Sequence, residues 1–251
     1  DKEGIIELNK KEKNIGDKYF KNTGEKTMDI AITPNRPDCL GVRGIARDLV
    51  SSGLGRLKKQ PLIKINQKFK SPIKVSIKKE KGQGCGIFGS VYIKNVQNKE
   101  SPDWLKKRII SLGLKPISAI VDITNYVLLQ LGQPLHAFDQ DKLRGDLRVR
   151  FPKKGEKITL LDEQKIQLDA DSLLITDEKK PVALAGIMGG LETCVSPDTE
   201  SIFLESAFFK PGAIRGQARK FNLQTDASIR FERGVDYQIQ ELAIKVASQL
   251  I

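Results

Sequence analysis

The stretch LGLKPISAIVDITNYVLLQLGQPLHAFD, residues 112–139, sets the reading of the whole chain. Ile117, Ile120, Val121, Thr124, Val127, Leu128 and Leu131 recur at the three- and four-residue steps of one helix face. Gly132 ends that helix and Pro134 forbids its continuation. Asn125 therefore falls inside a helix, and His136, the single histidine among 251 residues, falls in a loop just beyond it.

Upstream, SPDWLKKRIISLG (101–113) spells a second helix, with Ser101 as N-cap, Pro102 at the first helical position and Gly113 past the end. It follows strands around 73–77 and 87–93. Downstream, short apolar runs near 147–151, 157–161, 173–176, 182–188 and 201–206 read as strands of a largely antiparallel sheet, and the apolar face of DYQIQELAIKVASQLI (236–251) reads as a further helix. The fold class is α+β, mostly antiparallel sheets with flanking helices. Nearer the start, DIAITPNRPDCLGVRGIARDLVSSGLG (29–55) gives a short strand, a turn, and a helix capped by Asp38 and stopped by Gly53. The basic, proline-containing 56–72 then reads as a linker, with a domain boundary near residue 60.

Composition narrows the function. Forty-three Lys and Arg against 31 Asp and Glu give a net charge of +12, which favours a polyanion such as RNA, or else reflects a lysine-rich surface with no such meaning. Cys39, Cys85 and Cys194 are scattered and never arranged as CxxC, so neither a disulfide framework nor a zinc knuckle is expected. No apolar run is long enough for a membrane span, and residues 1–4 resemble no signal peptide, so the expectation is a cytoplasmic protein with no membrane partner. The absence of an initial Met suggests a piece of something longer.

Few residues qualify for chemistry. His136 can orient a water or a ribose hydroxyl near Thr124 and Asn125, or can simply be a hydrogen-bonded structural residue. AGIMGG (185–190) lacks both phosphate-cradling glycine patterns. Its glycines serve positive φ or close packing, or leave a bare backbone N–H facing a ligand. In FLESAFF (203–209), Glu205 stands among apolar neighbours and needs either an internal cation or a ligand hydroxyl. LQTDASIRFERGVD (223–236) reads as a hydrogen-bonded loop or a surface ion-pair ladder. No Ser/His/Asp or Cys/His nucleophile arrangement follows from spacing.

Taken together, ITPNRPDCLGVRGIARDL, LGLKPISAIVDITNYVLLQLGQPLHAFD, GIMGG, FLESAFF and GQARKFNLQTDASIRFERGVD resemble the β subunit of bacterial phenylalanine–tRNA ligase, at its B3/B4 editing domain. The resemblance divides the chain into the tail of an OB-type tRNA-binding module (1–27), part of a B1 domain (28–60), the B3/B4 domain (61–236) and the start of a next domain (237–251). It implies hydrolysis of tRNA(Phe) mischarged with tyrosine. A pocket shaped for phenylalanine rejects an added hydroxyl weakly, so a second site that demands the hydroxyl must remove the error.

On that resemblance, the Glu205 carboxylate accepts the tyrosine phenol beside the Gly189 amide, and His136, Thr124 and Asn125 lie at the ester. Thr225 and Ala227 form the opposite wall. Lys115 stands where the family commonly has arginine, keeping the charge and losing bidentate contact with the terminal adenosine or the ester. The family's partners are tRNA(Phe) and an α subunit in an α2β2 tetramer. The complete synthetase uses ATP and magnesium, but no cofactor or metal is expected in this piece. The alternatives are a scaffold segment with a degenerate pocket and, less favoured for want of an aromatic platform, a free RNA-binding module.

Overall fold

The computed structural model describes residues 27–59, 63–78 and 84–251. The expected OB-type tail lies, but for residue 27, outside them, as do residues 60–62 at the expected boundary. Residues 31–251 form one compact unit.

In that unit, α1 (Val42–Ser51) is followed by strands β1 (Val75–Ile77) and β2 (Cys85–Lys94), then helices α2 (Asp103–Ser111) and α3 (Ala119–Leu131). Short strands come next: β3 (His136–Asp139), β4 (Leu147–Arg150), β5 (Lys157–Thr159), β6 (Lys165–Gln167), β7 (Leu174–Thr176), β8 (Pro181–Leu184) and β9 (Met188–Gly189). The long strand β10 (Ser201–Phe209) leads into α4 (Pro211–Ile214), α5 (Gln217–Lys220), α6 (Asp226–Arg233) and α7 (Gln240–Leu250). One sheet has the order β1-β4-β7-β8-β9 and another β2-β10-β3, with β5 and β6 as a separate hairpin. All described pairings are antiparallel except β1 with β4, which run parallel.

Strand β10 organises the interior. It is flanked on both edges, and its alternating side chains enter two different cores. Ile202 and Leu204 join Leu105, Ile109, Ile123, Val127 and Ala243 under α2, α3 and α7. Phe203, Ala207 and Phe209 face the other way, into the core shared with Leu174, Leu184, Ile214 and Phe231. By the same alternation Glu205 belongs to the second face, between Phe203 and Ala207. The apolar run 202–209 is what a strand covered on both sides requires, and a single carboxylate interrupts it.

Helix α3 ends as its sequence implies, with Gly132 at φ 75° in the left-handed region and its N–H bonded to the Leu128 carbonyl. Its beginning is held differently. Ser118 is the N-cap residue but makes no side-chain cap bond. Instead the fully buried Asp122 accepts from the Ile117 N–H at 2.9 Å and from the Ser101 hydroxyl at 2.5 Å. Ser101 is thereby drawn away from the capping role expected of it, and Pro102, not Ser101, is the N-cap residue of α2.

Other local expectations also change. Asp38 lies in a 3-10 turn and pairs with Arg36 and Arg47, while Gly41 is the N-cap residue of α1. A Cβ on Gly41 would come within 2.6 Å of the Gly132 nitrogen, so the start of α1 packs directly on the end of α3. Residues 226–233 are helical rather than a loop, because Thr225 and Ser228 form a reciprocal capping box. The strand expected over 182–188 breaks into β8 and β9 at Gly186, whose φ is 71°. Most relevant to the site, His136 opens a strand rather than sitting in a loop, paired along β10.

Candidate active site

The register of β3 against β10 sets Glu205 directly opposite His136. Both side chains follow the face that carries Phe138 and Phe203, and they line a cavity of about 470 Å³, within the ~300–1,000 Å³ usual for small-ligand clefts. Helix α3 contributes Asn125 and Leu128 to its wall, β9 contributes Met188 and Gly189, and α6 contributes Asp226, Ala227 and Phe231. Thr225, Leu161 and Asp162 complete its rim.

Glu205 is 6% exposed and has no hydrogen-bond or ion-pair partner among the described residues. Burial pushes its pKa up to about 8, so it is mainly the neutral acid at pH 7 rather than the carboxylate expected from the sequence. His136 shifts the opposite way for the same reason, down to about 4, which leaves its imidazole neutral. The ring stands edge-on to Phe138 at 4.4 Å between centroids, and Nε2 is sealed from solvent without a partner.

Gly189 explains how that ring is confined. Its φ is not positive; what it supplies is space, since a Cβ there would lie 2.2 Å from His136 Cε1 and 2.6 Å from Nε2. Gly190 likewise lies against the Val182 carbonyl, at 2.8 Å from an added Cβ, so of the three glycines in AGIMGG only Gly186 serves a left-handed turn. Thr225 ties two walls together: its hydroxyl accepts from the Ser228 N–H at 3.0 Å and donates to the Ile187 carbonyl at 2.9 Å.

Residues 84–251 match the family model of the B3/4 domain. The chain belongs to the B3/4 domain family. It is 44% identical over 239 residues to the phenylalanine–tRNA ligase β subunit of Francisella tularensis, covering 93% of this chain and 29% of that protein. Against the β subunit of Acinetobacter baylyi it is 46% identical over 228 residues, covering 90% of this chain and 28% of the relative. The chain thus spans less than a third of the length of these curated relatives. Among solved structures, an N-terminal fragment of the phenylalanyl-tRNA synthetase β subunit from Pyrococcus horikoshii aligns with a TM-score of 0.42 at 17% identity, covering 69% of this chain and 53% of that one.

Within this B3/4 domain, His136, Asn125, Glu205, Gly189, Thr225 and Ala227 converge on the one cavity. Thr124 and Lys115 are not among its lining residues. Thr124 is buried in α3 and returns its hydroxyl to the Val121 carbonyl at 2.7 Å, whereas Lys115 is exposed in the segment before α3. Asp162 and Asp226 line the cavity although sequence reading assigns neither to the site. Asp226 lies between Thr225 and Ala227, so adjacency signals it; Asp162 sits in an ordinary-looking polar turn whose place depends on how the β5–β6 hairpin folds back. Among the described residues, no helix is long and apolar enough to cross a membrane.

Proposed function

We propose that the cavity hydrolyses the tyrosyl ester of mischarged tRNA(Phe), as the proofreading part of a phenylalanine–tRNA ligase β subunit. The observation that carries this reading is the buried, unpartnered Glu205 in a pocket whose ring-sized space is walled by Leu128, Ile187, Met188, Ala227 and Phe231. A phenol O–H donating to its unprotonated oxygen supplies an acceptor partner, whether the group is neutral or ionised. A phenylalanyl ring fills the same space and leaves the acid dry, at a cost of about 1–3 kcal/mol. That penalty protects the correctly charged tRNA.

The ring enters between Leu128, Ile187, Met188, Ala227 and Phe231, which places the ester toward the polar rim near Asn125. His136 is too weak a base for efficient proton abstraction at neutral pH, since its conjugate acid forms only near pH 4. It therefore orients the attacking water, and a ribose hydroxyl of the terminal adenosine assists. The net charge of +12 suits a polyanionic tRNA. The partners of the assembled enzyme are tRNA(Phe) and the α subunit, and ATP and magnesium belong to its synthetic reaction.

The test is release of tyrosine from Tyr-tRNA(Phe) by the 251-residue chain. His136→Ala slows release by roughly 10- to 100-fold, leaves tRNA binding unchanged and gains nothing from added imidazole. A chain that binds the RNA and never releases tyrosine is a scaffold, and the proposal fails.

A further inference from the structure

The ionisable groups lining the cavity run against the charge of the chain. In a protein of net charge +12, the lining contains Asp162, Glu205, Asp226 and His136 and, among the described residues, no lysine or arginine. Glu205 is the deep member, 6% exposed and aimed into the cavity without a partner, which marks the space as a ligand site independently of the acids at its rim.

Of the two rim carboxylates, Asp226 is already engaged. Its Oδ1 receives Arg230 Nη1 at 2.7 Å, and it occupies the first turn of α6, where helix N–H groups favour an anion. Asp162 has no ion pair among the described residues. It stands exposed at the tip of the β5–β6 hairpin and is held in place on both sides. The Gln164 N–H donates to its Oδ1 at 3.1 Å, Glu163 turns the chain at φ 68°, and the Leu161 N–H donates to the Gly189 carbonyl at 3.1 Å. The hairpin tip is thereby fastened to the strand whose Gly189 abuts His136. One oxygen of Asp162 is used by the turn, and the other remains for a ligand.

An aminoacyl ester carries one cation, its α-ammonium group, a single carbon away from the ester carbonyl. A ligand whose phenol reaches Glu205 presents that cation at the mouth. We infer that Asp162 anchors the α-ammonium group of the bound aminoacyl ester, so that the cavity selects ligands with a hydroxyl at the deep end and a free amine at the rim. The inference rests on the proofreading reading of the cavity and adds to it a demand for an unblocked amine. The pair is partly solvated, so its contribution is modest and salt-sensitive.

Three small probes separate the two ends: p-cresol, with the phenol alone; tyramine, with phenol and ammonium; and N-acetyltyramine, of matching skeleton without the charge. Their binding to the 251-residue chain is measured by calorimetry at low and high salt. Tyramine binds about three- to fivefold tighter than N-acetyltyramine to the unaltered chain, a gap of the size exposed ion pairs give. The gap closes in 1 M salt. It also closes in Asp162→Asn, where the amide oxygen still accepts from Gln164, and it persists in Asp226→Asn.

Equal binding of tyramine and N-acetyltyramine overturns the inference, as does a gap that survives Asp162→Asn, disappears with Asp226→Asn instead, or ignores salt. The proofreading reading is checked separately by p-cresol, whose affinity falls in Glu205→Leu, which removes the acceptor at similar volume, and is unchanged in Asp162→Asn. Indifference of p-cresol to Glu205→Leu sinks that reading without obscuring the result for the amine.

Discussion

Glu205 and His136 occupy directly opposed positions on adjacent antiparallel strands, and both are kept neutral at pH 7 by the same burial. An acid pushed up to about 8 and an imidazole pushed down to about 4 stand side by side without ionising each other. The deep end of the pocket thus offers hydrogen bonding rather than charge, and under the proposed function orientation is what its imidazole supplies.

The two shifts give opposite dependences of stability on pH. Glu205 has a higher pKa folded than unfolded, so its contribution is fully present below about 4.5 and is lost as pH rises toward about 8. His136 has a lower pKa folded, so its contribution is present above about 6.5 and is lost as pH falls through about 4. Glu205→Gln is therefore expected to match the parent in stability near pH 4.5 and to exceed it increasingly up to pH 8, by an amount on the order of a few kcal/mol. Urea denaturation of both proteins across this range checks the sign.

Gly189→Ala thrusts a methyl group into the His136 ring, which Phe138 holds from the side. The expected loss is about 1–3 kcal/mol of stability, together with weakened tyrosyl-ester hydrolysis. Because the clash is with one side chain, adding His136→Ala should return most of the lost stability. A double-mutant cycle measures this, and additive effects would place the strain elsewhere.

Asp122 holds the start of α3, the helix that presents Asn125. Asp122→Ala strands the Ile117 N–H and the Ser101 hydroxyl, and is expected to cost about 1.5–3 kcal/mol in chemical denaturation. Ser101→Ala, which removes only one of the two bonds, costs less.

Local grammar accounts for α3 and its left-handed Gly132 stop, since periodicity and terminator act within the segment itself. It does not account for β3. His136-Ala137-Phe138-Asp139 is too short to show alternation after Pro134, and it becomes a strand because β10 supplies its hydrogen bonds from some 65 residues away. Ser101 departs from its expected capping role for a related reason: its buried partner Asp122 is distant in sequence, and that bond displaces the local cap. The quoted strings contain Asn125, His136, Gly189, Glu205, Thr225 and Ala227, which line one cavity. The placement of Thr124 and Lys115 off the cavity wall, and of Asp162 on it, depended on side-chain direction and on a hairpin fold that no one-dimensional spacing carries.

Under the proposed function, Glu205 tells tyrosine from phenylalanine. The most direct test of that role is the ratio of ester hydrolysis rates for Tyr-tRNA(Phe) and Phe-tRNA(Phe), measured for the unaltered chain and for Glu205→Ala. The expected result is a strong preference for the tyrosyl ester that collapses toward unity in the variant, a change of about 10- to 100-fold for the loss of one buried hydrogen bond to an acid. A ratio unmoved by the substitution would contradict it.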